Sequence, residues 1–220
     1  MKRLLLTATA ALCSLAAAPL VAQTAIPSTG ATAFKDTSAF KPPAGVKLAI
    51  IEFEDLECPL CGQTSPMVHH AMSRYNIPRV RHDFIIPSHP WSRTAAINAR
   101  YLEDHVSPKL AEDFRRDVFA SQSRIASRDD LFAFTRTWFQ SHGQTMPFVL
   151  DPTGRCANEV QADCNLAMRS GVAHTPTIIV ATQTHWIEVT DPHQLDQAIE
   201  IARASLHQSA PASSKAHRHS

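Results

Sequence analysis

The chain has 220 residues, 44% hydrophobic and 19% charged, with 15 prolines and only six glycines. That composition suits one domain with a sizeable core, and no period of roughly 20–50 residues recurs, which excludes collagen, coiled-coil and solenoid architectures. With 21 Lys and Arg against 20 Asp and Glu, a formal net charge of +1, there is no basic stripe for nucleic acid and no strong field for an anionic membrane.

The N-terminus reads as a targeting segment. Met1-Lys2-Arg3 is basic, Leu4 to Ala18 is almost wholly apolar, and small residues lead to Ala22. This is the pattern of a secretory signal peptide over residues 1–22, because the apolar run is short of the roughly 20 residues that span a bilayer. Cys13 leaves with it, since Leu12 is too large for a lipoprotein site. Cleavage removes two of the 21 basic residues and leaves a near-neutral mature chain. The expected location is the periplasm or another extracytoplasmic space. There the four remaining cysteines (Cys58, Cys61, Cys156 and Cys164) carry redox meaning.

Residues 23–45 are rich in Ala, Thr, Ser and Pro and read as a flexible tether. Val46 to Phe53 is a dense β-branched and apolar run, the signature of a buried strand. A helix is expected from the Cys58-Pro59 step to Tyr75, with Pro66 kinking it. Arg79 to Ile86 is a second strand, bounded by Pro78 and Pro87. Three helices follow. The first is Ser92 to His105; the second opens on Ser107-Pro108; the third opens on the Ser127-x-x-Asp130 capping box and stops at Gly143. After an Asp151–Gly154 turn comes a helix to Ser170, then strands Thr177 to Ala181 and Trp186 to Val189. A last helix opens at Asp191-Pro192, and residues 208–220 form a polar, disordered tail. The fold class is α/β, in the order βαβ, helical insert, αββα. The domain spans 46–207 and its insert about 90–143.

Cys58-Pro59-Leu60-Cys61 directly follows the buried strand and opens a helix. At a helix N-terminus the partial positive charge favours a thiolate and lowers the pKa of Cys58. Cys61, one turn on, is placed to attack a mixed disulfide made by Cys58. Half a zinc site and an inert disulfide are the alternatives. Zinc needs two further ligands at finger-like spacing, whereas seven residues separate Cys156 from Cys164.

Downstream, Gly171-Val172-Ala173-His174-Thr175-Pro176-Thr177 leads straight into a strand. With this second motif the chain resembles the thioredoxin superfamily, specifically the DsbA-like thiol:disulfide oxidoreductases, over about Val46 to Leu206. The resemblance implies a thioredoxin-like fold with an inserted helical domain. It also implies a cis bond before Pro176 facing the redox disulfide Cys58–Cys61, and an edge at Thr175 that pairs with a substrate peptide. His174, beside them, is a further candidate for the substrate site. The resemblance places a buried acid at Glu52, where a raised pKa would suit proton transfer to and from Cys61. Glu54 and Asp55 are nearby acids, but the strand alternation and the family register favour Glu52. A strand-end carboxylate facing water is its alternative.

Cys156 and Cys164 stand eight positions apart. On a straight helix that is about 12 Å, beyond disulfide reach, so a structural disulfide requires Cys156 to lie off the helix. Two core thiols are the alternative. The twelve histidines are scattered without ligand spacing, so no metal is expected, and no cofactor. The expected activity is disulfide exchange with secreted protein or peptide thiols, as a monomeric oxidase recharged by a membrane redox partner. A reductase, an isomerase, or a non-catalytic binding or chaperone module remain open alternatives. Leu60 stands where strongly oxidising relatives carry His, which points to a Cys58 pKa between about 3.5 and about 7.

Overall fold

The computed structural model describes residues 34–208. The expected signal peptide and the tail beyond residue 208 lie outside the described residues, as does the first part of the tether. Strand β1 (Leu48–Glu54) is buried at every position, which is what its unbroken apolar run demands of a central strand. It pairs in parallel with β2 (Arg79–Asp83) and antiparallel with β3 (Thr177–Thr182). Strand β4 (Trp186–Val189) pairs antiparallel with β3, giving the sheet order β2-β1-β3-β4.

Helix α1 (Pro59–Tyr75) runs unbroken past Pro66 and ends at Asn76 in the left-handed region (φ 51°). Helices α2 (Ser92–His105), α3 (Pro108–Ser121) and α4 (Arg128–Ser141) are the inserted block. Its caps are those read from sequence: Ser107 accepts from Leu110 N and Ser127 from Asp130 N. Helix α5 (Arg155–Ser170) starts and stops at Gly154 and Gly171, both at positive φ. One 3-10 turn, Pro192–Gln194, precedes α6 (Leu195–Gln208). Among the described residues no helix is long and apolar enough to cross a membrane.

The side chains divide into layers. Ile50, Ile178 and Val180 face Val68 of α1 and Leu195 and Ile199 of α6. Ile51, Phe53, Ile179 and Ala181 face Ala167 of α5. The insert has its own core around Trp91, Leu102, Phe114, Leu131, Trp138 and Phe139, joined by Leu56 from the loop after β1. This alternation across β1 puts Glu52 and Glu54 on the Ile50 side, towards α1.

Three expectations change. Within the supposed tether, Phe40 is 1% exposed and packs edge-on against Phe53 and Trp186, with Phe34 beside it. Two aromatic rings in an Ala/Ser/Pro-rich run bury enough area to order it. Strand β2 ends at Asp83 rather than Ile86, because Asp55 Oδ2 takes the Ile86 N–H at 2.8 Å and pulls the chain out of the ladder. Finally, Cys156 and Cys164 both lie within α5 and are free thiols. A continuous helix from Arg155 keeps them about two turns apart, so the possible structural disulfide does not form.

Candidate active site

Cys58 is the N-cap of α1 with extended backbone (φ −70°, ψ 120°), and Pro59 fills the first helical position. That geometry aims the free N–H groups of the first turn at the Cys58 sulfur. The thiol pKa falls to about 5. The main cause is a hydrogen bond from the Cys61 thiol; desolvation opposes it, and contacts with Thr175 and with the Cys61 and Leu60 N–H groups add to it. The Thr175 hydroxyl has no other partner. When protonated, Cys58 Sγ reaches the Thr175 carbonyl at 3.4 Å. A thiolate has no proton to give that carbonyl, so charging Cys58 shifts the contact to the hydroxyl.

The second thiol is the opposite case. Cys61 is 1% exposed and is pushed well above the usual thiol range, by desolvation first, then by its bond to Cys58 and the Cys58 charge. Glu54 adds to the rise, while the Asp55 N–H, 3.5 Å from Cys61 Sγ, opposes it. One sulfur is ready to attack and the other holds its proton.

Peptide Thr175-Pro176 is cis, and Thr175 faces Cys58 across the site. His174 does not reach Cys58 by any contact of its ring. Its Nδ1 lies 3.2 Å from Pro176 O and from Thr177 Oγ1, and its Nε2 is 3.9 Å from Glu188. It braces its own loop.

Glu52 is fully buried on β1, with Oε2 2.9 Å from Arg79 and Oε1 without a hydrogen-bond partner. Burial raises its pKa, against the pull of Arg79. The alternative of a solvent-facing carboxylate is thereby removed. The carboxylate whose charge bears on Cys61, however, is Glu54, held by Arg115 at 3.1 Å.

Sequence reasoning missed the residues that hold the loop between β1 and α1. Asp55 Oδ1 accepts from Glu57 N at 2.8 Å, and its Oδ2 lies 3.0 Å from His89 Nδ1. Glu57 Oε2 accepts from Trp91 N and Ser92 N, at 2.8 and 2.9 Å, and so caps α2. Gln122 Nε2 donates to Leu56 O and Cys58 O, at 2.9 and 3.0 Å. The insert thus grips the Cys58 backbone directly. The run of acids at 54, 55 and 57 was the available signal; nothing in sequence marked Gln122. A groove of about 400 Å³ opens beside Pro59, lined by Glu57, Trp91, Gln122 and Ile125. Leu60, 56% exposed, stands free at the helix start.

The thioredoxin family matches residues 44–201 of this chain. Among solved structures, BdbD from Bacillus subtilis is 17% identical, covering 79% of this chain and 96% of its own, with a TM-score of 0.61. A periplasmic thioredoxin-like protein from Salmonella enterica serovar Typhimurium is 22% identical over 72% of this chain and 86% of its own, at 0.57. Pseudomonas aeruginosa DsbA2 is 14% identical over 76% and 92%, also at 0.57. A curated relative, Na(+)/H(+) antiporter NhaA 3 of Salinispora tropica, is 28% identical over 159 residues, yet the chain spans only 22% of its length. With a family match across most of the chain and structural neighbours that include DsbA2 and BdbD, this chain belongs to the thioredoxin family and has a thioredoxin-like fold matching those of DsbA type.

Proposed function

We propose that the protein is an extracytoplasmic thiol:disulfide oxidoreductase that acts through Cys58 and Cys61, and that it works as an oxidase. The observation that carries the reading is the split between the two thiols, one drawn down to about 5 and the other pushed far up. Cys61 then resolves adducts made at Cys58. A stabilised Cys58 thiolate favours the reduced form of the pair, so the disulfide is a willing electron acceptor. In oxidation, a client thiolate attacks Cys58 Sγ and displaces Cys61 as the leaving thiolate, which takes up a proton. A second client thiol then attacks the client sulfur of the mixed disulfide, and the Cys58 thiolate leaves. The two electrons remain on the pair until a membrane redox partner withdraws them. Thr175 and cis-Pro176 form the docking edge for the client peptide, and no cofactor is required. The direction is tested by equilibrating the pair with glutathione and by assaying oxidation of a reduced peptide beside insulin reduction. A potential at or below that of thioredoxin, about −270 mV, would make the protein a reductase.

Glu52 is proposed to exchange the Cys61 proton, its unpaired Oε1 being the free acceptor. Glu52→Gln is expected to slow exchange by on the order of 10²-fold, with its circular dichroism unchanged. Rates equal to the parent between pH 6 and 8 would remove Glu52 from the mechanism and leave the Cys61 environment to Glu54.

The exposed Leu60 supplies neither charge nor hydrogen bond to Cys58. Leu60→His is expected to lower the Cys58 pKa from about 5 towards about 3.5, as in the strongest oxidases, and to raise the potential in step. Titration of the thiolate by its ultraviolet absorbance reads the first effect and glutathione equilibration the second. His174→Ala, by contrast, should leave that pKa nearly unchanged, since the ring is engaged with Pro176, Thr177 and Glu188.

A further inference from the structure

Away from the redox pair, the end of α2 meets the start of α5. The side-chain donor atoms of Asp104, His105 and Cys156 all lie within 4.8 Å of one another there. Asp104 and His105 are exposed and Cys156 is buried. The Cys156 sulfur has no hydrogen bond among the described residues, unlike Cys164, whose thiol reaches Asp83 O at 3.6 Å. Neither cysteine has a disulfide partner, and Cys156 plays no part in exchange at Cys58.

We propose that Asp104, His105 and Cys156 form a binding site for Zn²⁺, with water completing a tetrahedral shell. A thiolate, an imidazole and a carboxylate are the donors zinc takes, at about 2.0–2.3 Å, which sets donor-to-donor separations of roughly 3.5 Å. The three atoms are within a small side-chain movement of that spacing. The backbone supports the cation from the α2 side: His105 ends α2, where the last carbonyls carry partial negative charge. Cys156 lies in the first turn of α5, and burial together with Asp151 raises its thiol pKa, so the cation itself has to displace the proton. Asp151 fixes that turn by accepting from Cys156 N and Ala157 N, at 3.2 and 2.9 Å. The His105 ring is held against Tyr101, centroids 4.7 Å apart. Arg155 pairs with Asp104 at 3.4 Å but is 63% exposed. A solvated pair of that kind is weak, and the metal displaces it. Binding releases the Cys156 proton to solvent and clips the insert to α5. The scattered histidines hid the site from sequence, because its ligands come from two helices distant along the chain.

The test uses the full chain with Cys58 and Cys61 oxidised to their disulfide, so that the redox pair offers no thiolate. Co²⁺ is titrated in, and Zn²⁺ then displaces it. The expected result is a cysteinate-to-cobalt charge-transfer band that saturates at one equivalent and vanishes with Zn²⁺. Cys156→Ser should abolish the band. His105→Ala, at an exposed position, should weaken Zn²⁺ binding by roughly tenfold or more. Any histidines of the chain that bind cobalt give no such band. A parent protein without the band, a band that survives in Cys156→Ser, or a His105→Ala protein that binds Zn²⁺ like the parent would each overturn the proposal.

Discussion

Replacing Cys61 with Ser is expected to trap client proteins as mixed disulfides on Cys58, whereas Cys58→Ser is expected to abolish exchange and trap nothing. The asymmetry follows from the two sulfurs. Cys58 is half of a pair whose first member ionises at about 5, so near neutrality it is almost wholly thiolate. Cys61 stays protonated behind it, 1% exposed. Without Cys61, an adduct that the Cys58 thiolate forms by attacking a client disulfide has no neighbouring thiol in the protein to release it. In that variant Cys58 also loses the hydrogen bond that contributes most to its low pKa, though a serine hydroxyl at 61 restores a donor. Non-reducing gels of the two variants, expressed beside the parent, read the result directly; equal trapping by both would reverse or remove the assigned roles. The same ionisation sets a pH dependence for the reduced protein. The folded Cys58 pKa lies below the unfolded value of about 8.5. The stabilisation is therefore complete above that value and is lost as pH falls through about 5. The oxidised protein, with no thiolate, should show no such slope. Urea midpoints of both forms between pH 4 and 9 would expose it.

What could be read from the chain follows from the range of the interactions involved. The Cys58 motif, the buried run of β1 and the Ser107 and Ser127 caps are local patterns, written in residues a few positions apart, and the structure reproduces them. Pro176 was legible through its setting before a strand. Gln122 was not, because its value lies in reaching Leu56 and Cys58 across more than sixty positions. Phe40 was lost in a run whose average composition is that of a linker; one ring finding a cavity outweighs the Ala and Ser around it. On β1, the alternation expected to favour Glu52 instead puts Glu52 and Glu54 on one face and cannot apportion them. That depends on which arginine stands opposite each: Arg79 for Glu52 and Arg115 for Glu54. The Cys156 question turned on where α5 begins, a boundary that helix periodicity leaves uncertain by a turn.

Those arginines carry the largest stability effect expected. Arg115, 1% exposed, donates to Glu54 Oε1 at 3.1 Å and to both oxygens of Asp83, at 2.7 and 3.1 Å. Arg100 shares Asp83 at 2.8 Å. Burial alone would raise the Asp83 pKa, but Arg115 and Arg100 hold it well below the carboxylate range. Arg115→Met keeps length and removes charge, leaving Glu54 and Asp83 buried with too little compensation. Breaking a buried pair from one side costs about 3–5 kcal/mol, so the variant should lose that much by urea denaturation at pH 7. The sign of its pH response separates this cause from lost packing. In the parent, Asp83 contributes stability above its unfolded value of about 3.9, lost only as pH falls towards its depressed native one. In the variant, desolvation is less opposed and the native Asp83 pKa rises. Protonation then relieves the buried charge as pH drops from 7 towards 4, and the gap to the parent narrows. A deficit independent of pH would assign the loss to packing of the arginine stem rather than to its charge. Because Glu54 also bears on Cys61, freeing it from Arg115 should raise the Cys61 thiol further, so the variant's disulfide exchange should slow while the protein is still folded.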